Sequence, residues 1–464
     1  MRLTFRDLRV RAAALLAAGS AAAACNTDSV LQVRAPDVVE PGALTDTLSL
    51  PVFLAGAVGD FQVAYNGNND LNQITAAGLF TDEFIQTESF PTRFQVDTRE
   101  ILRDNGSMDQ LFLDLQRARA SAERASGRYV ASGLPNASGR MDALNIAGYS
   151  YILFGENYCS GVPYSRVTEG FTLEYGAAQT TEQTLQAAVA KFDTVLATTT
   201  ATAAQQNAAR VGRARALLNL GQFAQAGTAA TGVPLAFSFQ LQHSENTGRQ
   251  NNGTWNLTTN QGRMGVSNNE GGNGLPFITA QDARVPNRPR STNNGNGFDG
   301  GPMREQLKYP TRISSVTVAD GVEAQLIRAE AAMRAGDAAT FLTLLNEMRS
   351  NAALVTARGG TGTLPALTDP GSDVERQNLL FRERAFWLYA TSHRLGDMRR
   401  LVRQYGRSVA SVFPSGNYAS NGRTGAYGTD VNFPIPIAEG NNTAAPSAAS
   451  GADPALKGCL SRGA

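Results

Sequence analysis

Apolar residues recur at helical spacing in one stretch after another. Leu50 to Tyr65 carries Phe53, Ala57 and Phe61 on one face, Met108 to Arg124 carries Leu111, Leu115 and Ala118, and Arg140 to Phe154 carries Leu144, Ala147, Tyr151 and Phe154. Each spacing predicts a packed amphipathic helix. The pattern is densest from Gly321 to Arg349, where Val322, Leu326, Ala329 and Met333 are followed, after a break, by Phe341, Leu344, Leu345 and Met348. Gly336 is suited to the left-handed conformation that ends the first of these helices, and Asp337 to accepting the free N–H groups that open the second. The stretch therefore predicts a helical hairpin, with Ala329, Ala331, Ala332 and Ala335 small enough for close approach. ARALLNLGQFAQA from Ala214 parallels AEAAMRAGDAATF from Ala329, with Gly221 in the place of Gly336. A hairpin that recurs at two places predicts a tetratricopeptide-type scaffold, in which neighbouring repeats cover each other's apolar faces. Val374 to Arg403 reads as one longer helix.

The periodicity fails in two places. Phe80 to Phe94, with Pro91 amid charge and aromatics, predicts a structured loop, and Phe237 to Tyr309 is rich in Asn, Gly, Gln and Ser. The second stretch predicts a long insertion of loops with short strands. The fold class expected is mainly α: helical hairpins with a loop-rich insertion and few short strands. Its parts are residues 48–236, an insertion at 237–310, a second helical part at 321–410 and a tail at 411–464.

Three stretches in the last third of the chain carry a resemblance. RERAFWLYATSHRLGDMRR places Glu383, Arg384, Leu388, Arg394, Asp397 and Arg400 in a Glu-Arg, Leu, Arg, Asp-x-x-Arg pattern. RAEAAMRAGD, which contains Glu330, is followed by LLNEMR, and FPIPIAEGNN spans Phe433 to Asn442. In this order they resemble the signatures of SusD/RagB-type outer-membrane lipoproteins, and Asp282 and Arg284 resemble the Asp-x-Arg element of the same family. Trp387, Thr391 and Ser392 depart from it, the last standing where the family has Gly. The resemblance implies a SusD-like fold and a lipid-anchored binding protein on the cell surface. It also implies capture of oligomeric nutrients, usually glycans, for a SusC-like TonB-dependent transporter, with no cofactor. The signature residues Glu330, Glu383, Arg384, Arg394, Asp397 and Arg400 are expected to hold the scaffold.

Residues 1–24 read as a secretion signal, with four arginines before the small-residue run that ends at Cys25. The run is too short for a membrane span, which needs ~20 apolar residues. Cys25 is the expected lipidation site, with ordinary secretion the alternative, and residues 25–47 form a tether. The 464 residues are formally +1, and the part after residue 24, which loses four arginines against Asp7, is −2. Such a balance argues against nucleic acid as the main partner.

Two histidines, His243 and His393, leave little for a metal site or a catalytic triad. Adjacent Asp82 and Glu83 are the nearest approach to an acid/base pair, but sequence neighbours on a loop point apart, whereas glycosidase carboxylates flank the scissile bond ~5–10 Å from one another. The alternatives to a binding protein are a secreted glycan hydrolase using surface carboxylates and a helical-repeat scaffold for protein partners. Candidate ligand contacts are Trp255 with Asn252 and Asn256 in the insertion, and Arg93. An indole facing solvent stacks on a sugar ring and amides suit hydroxyl-rich ligands; the other reading has Trp255 plugging a loop core. Cys159 and Cys459 are either a disulfide in an oxidising compartment or two free thiols.

Overall fold

A computed structural model describes residues 47–464 apart from 69, 169–171, 421–422 and 445–453; Cys25, the signal and most of the tether lie outside the described residues. Eight helices form a ladder. They are α1 (Leu50–Asn66), α4 (Gly106–Ala131), α5 (Ser138–Asn157), α6 (Thr181–Ala197), α7 (Ala203–Asn219), α8 (Phe223–Ala230), α9 (Gly321–Arg334) and α10 (Ala338–Arg349). Each packs on the next in this order, the stacking that helical-hairpin repeats require. Between α1 and α4 lie two further helices, α2 (Gln73–Phe80) and α3 (Pro91–Asp97).

Local chemistry sets the ends of these elements. Thr180 and Thr202 form capping boxes with Gln183 and Gln205 at the starts of α6 and α7, and Asp337 accepts from Thr340 N to open α10. Gly221 and Gly336 both adopt positive φ, +76° and +78°, at the turns read from the sequence. Small residues govern the approach of α8 to α9, where a Cβ added at Gly227 would lie 2.6 Å from the Ala331 methyl.

Short antiparallel strands tie the two insertions together and to the segment that leads into α9. β1 (Phe84–Gln86) pairs with β3 (Met264–Val266), β2 (Ser238–Leu241) with β6 (Val316–Asp320), and β4 (Asn287–Pro289) with β5 (Arg304–Gln306).

The long helix expected from Val374 to Arg403 is corrected to two, α11 (Asp373–Trp387) and α12 (Arg394–Tyr405). Leu388 ends α11, and Ala390 and Ser392 take left-handed φ values of +53° and +62°. Distant groups hold the break: the Glu83 carboxylate accepts from Ala390 N, the Tyr309 hydroxyl donates to Ala390 O, and Tyr65 donates to Thr391 O. Ser392, where the family resemblance has Gly, donates its hydroxyl to Gln73 O.

The signature charges are buried and paired. Arg400 binds both oxygens of Glu330 on α9 at 2.5 and 3.0 Å, and Asp397 receives Arg384 at 2.8 Å and Arg400 at 2.9 Å. Burial pulls the Asp397 carboxyl upward, but the two guanidinium groups prevail and hold it well below the usual carboxylate range. Arg284 bridges Asp282 and Glu383, Glu383 also receives Arg349, and Arg394 grips Asp82 through two bonds of 2.7 and 2.8 Å. These pairs fasten α11 and α12 to the ladder and to both insertions. The tail is fastened covalently: Cys159 and Cys459 form a disulfide with Cα atoms 5.9 Å apart, and Ser160 and Ser461 bridge beside it.

Candidate ligand-binding surface

The β1–β3 pairing brings the two insertions edge to edge. Thr87 N donates to Arg263 O, Phe298 N to Gly262 O and Asp299 N to Thr87 O, so that three loops share one backbone network. This network presents two aromatic rings to solvent, Phe90 at 48% exposure and Phe298 at 56%. The Arg263 guanidinium lies between them, 5.2 Å from the Phe90 ring centre and 4.4 Å from that of Phe298. Pro91 at the first turn of α3 fixes the chain direction at Phe90. Isolated exposed apolar side chains are ordinary, but two rings clamped about one guanidinium form a pre-set platform.

Charge beneath the platform is balanced. Arg263 pairs with the buried Glu88 carboxylate, Glu88 accepts from Arg93 at 2.6 Å, and Arg93 donates to Asp70 at 2.5 and 2.9 Å. Burial alone would lower the Arg93 pKa; the Asp70 and Glu88 carboxylates more than reverse it. Two cations against two anions leave the platform without net charge, which suits a neutral ligand. A row of amides runs alongside: Asn256 donates to Asn68 at 2.6 Å, the exposed Asn260 donates to Asn256 at 2.8 Å, and Arg290 holds Asn260 O.

Arg93 thus lies under the platform as its positioning ion pair, itself buried. Asn256 is buried within the amide row. Asn252 is a correction: it is fully buried, its Oδ1 caps Trp255 N and its Nδ2 donates to Ser314 O, so no part of its amide is free for a ligand. Trp255 is half-buried against the core, with the Arg312 guanidinium 5.4 Å from its ring centre. Phe90, Phe298, Arg263 and Glu88 escaped the sequence reading. The available signal was an aromatic beside a turn residue in each loop segment, Phe90 before Pro91 and Phe298 between Gly297 and Asp299.

Asp82 and Glu83 are both fully buried; Asp82 is held by Arg394 and Leu275 N, and Glu83 turns to Ala390 N. They therefore face no substrate.

The sequence matches no family model and no curated protein. The fold does match solved structures. A SusD superfamily protein from Bacteroides fragilis superposes with a TM-score of 0.62 at 14% identity, covering 87% of this chain and 99% of its own. A SusD/RagB family protein from Bacteroides thetaiotaomicron gives 0.60 at 11% identity, covering 84% and 94%, and a laminarin-binding SusD-like protein gives 0.59 at 12%, covering 87% and 100%. The fold is SusD-like, as the ordered signatures implied.

Proposed function

We propose that this protein captures oligosaccharides at the outer surface of a cell, held to the outer membrane through a lipid on Cys25, and passes them to a TonB-dependent transporter of the SusC type. The observation that carries the reading is the Phe90–Arg263–Phe298 platform on a SusD-like fold. Exposed rings stack on the apolar faces of sugar rings, and the neighbouring amides offer donors and acceptors to hydroxyls. The balanced charge beneath favours neutral glycans. Binding by stacking and hydrogen bonds leaves the ligand intact.

The test is calorimetry on the protein without residues 1–24, using β-glucan and α-glucan oligosaccharides chosen from a glycan array. A Phe90→Ala/Phe298→Ala double variant loses two rings worth about 1 kcal/mol each, so its affinity falls on the order of thirtyfold while the melting temperature holds. Unchanged affinity in a folded double variant would remove the platform from the reading.

A further inference from the structure

A second concave surface lies away from the platform. It is a groove of about 320 Å³ between α1, the start of α5, the start of α7 and β2, and it opens into a wider cleft of about 690 Å³ that shares Leu54, Val58, Gln62, Asp142 and Gln242. Its apolar wall comes from Leu54, Val58, Ile146 and Ala208. Its other wall is six consecutive residues, Phe237 to Gln242. An unbroken run of this kind is the signature of a cleft that follows the edge of a strand.

That edge is free. β2 pairs with β6 on one side, and among the described residues no strand pairs with its other side. Apart from the β6 ladder, residues 238–242 make no backbone hydrogen bond among the described residues. Every second residue of an edge strand points its N–H and C=O outward, so the cleft wall carries a row of unused donors and acceptors. Burial alternates along the run, with Leu241 and His243 buried and Ser238, Gln240 and Gln242 exposed. The strand is therefore in register with the core and presents its edge to the groove.

The polar groups of the groove select the occupant further. Among the described residues no lysine or arginine lines either part of it, and Asp142, which lines both, makes no ion pair; its carboxylate accepts from Gln205 at 2.8 Å. Asn145 donates to Gln205 O, while its Oδ1 is buried with no hydrogen-bond partner. A lone carboxylate and an unused carbonyl oxygen ask for donors and positive charge.

We infer that the groove binds an extended peptide segment of a partner protein, with apolar residues alternating with lysine or arginine, that adds as a strand to the free edge of β2. Its main chain uses the open donors and acceptors of residues 238–242, which is the source of affinity in strand addition. Its apolar side chains fall on Leu54, Val58 and Ile146, and a cationic one reaches Asp142. A free sugar fits less well, since a strand edge supplies bonds at main-chain spacing.

The probe is a fluorescein-labelled hexapeptide of alternating valine and lysine, titrated onto the protein without residues 1–24 and followed by anisotropy. Saturable binding is expected, and N-methylation of alternate residues in one of the two registers weakens it about tenfold or more by removing main-chain donors. Asp142→Asn weakens it about fivefold, and the exposed Val58→Arg, which sets a cation beside Asp142, abolishes it. Both variants keep the glycan affinity of the platform, which separates this site from that one. No saturable binding at millimolar peptide overturns the inference. So does equal binding of a valine–glutamate peptide, or indifference to N-methylation in both registers.

Discussion

Glu83 is buried among Asp82, Arg394, Lys308 and the Ala390 amide. Burial, opposed by the bond from Ala390 N and assisted by Asp82, pushes its pKa from 4.5 to about 8. Lys308, whose ammonium donates to Tyr389 O, is drawn down to about 7 by burial and by Arg358. Between pH 5 and 8 the folded state therefore keeps a proton on Glu83 that the unfolded chain has released, and raising the pH favours unfolding. Lys308 acts the other way above pH 7, where the folded state has lost a proton that the unfolded chain keeps. Glu83→Gln should remove the first of these effects. Urea midpoints measured from pH 5 to 8 are expected to show the variant gaining on the parent protein as pH rises; a constant difference between them would contradict the assignment to Glu83.

At the scale of elements, the break between α11 and α12 is the instructive case. Its periodicity reads straight through, because Leu388, Tyr389 and Leu395 all serve the core. What stops the helix is a pair of partners far earlier in the chain, Tyr309 at 81 residues and Glu83 at 307 residues before Ala390. A local pattern has no access to such partners. The strained position is Ala390, where a Cβ in the left-handed region costs about 1 kcal/mol. Ala390→Gly relieves that strain while losing a buried methyl and adding unfolded-state entropy, so stability should stay within about 1 kcal/mol. Ala390→Val adds β-branching at positive φ in a full core and should cost about 2–3 kcal/mol. Chemical denaturation of the two variants checks the contrast; equal effects would mean that the left-handed turn is not the constraint.

The platform belongs to the same scale. Phe90 and Phe298 lie more than 200 residues apart, and only the β1–β3 pairing and the Thr87 and Gly262 bonds make them neighbours. Arg93 was legible as a candidate because it sits in a charged aromatic loop, but its role beneath the rings was not. Asn252 shows the converse: an amide-rich loop reads as ligand-binding, yet a buried loop must satisfy its own main chain first, and Asn252 is spent on that.

For the whole molecule, the disulfide between Cys159 and Cys459 closes the chain over a separation of 300 residues. Loop closure of that size has an upper bound of about 6 kcal/mol in the chain-entropy model. Cys459→Ser should lower the urea midpoint by an amount corresponding to about 2–5 kcal/mol, and the parent protein in reductant should fall to match it. A midpoint insensitive to both would show that the bridge adds nothing to stability. The covalent tie acts with main-chain bonds, since Cys159 N donates to Phe433 O and Leu460 N to Ser160 O. The tail thereby becomes part of the fold.

The sequence by itself determined the helical hairpins, their glycine turns and caps, the place of the long insertion and the charged signature, because these depend on neighbours within one or two helical turns. Residues such as Glu330, Arg384, Asp397 and Arg400 stood out by the resemblance of their spacing to the SusD/RagB signatures, and burial tolerates such charges only in pairs. The tertiary structure alone decided which charges pair, where the last long helix breaks, which cysteines meet, which aromatic rings face solvent together and which strand keeps an open edge. Each of these depends on groups that the chain brings together across tens to hundreds of residues, and their energies appear only when water has been excluded from between them.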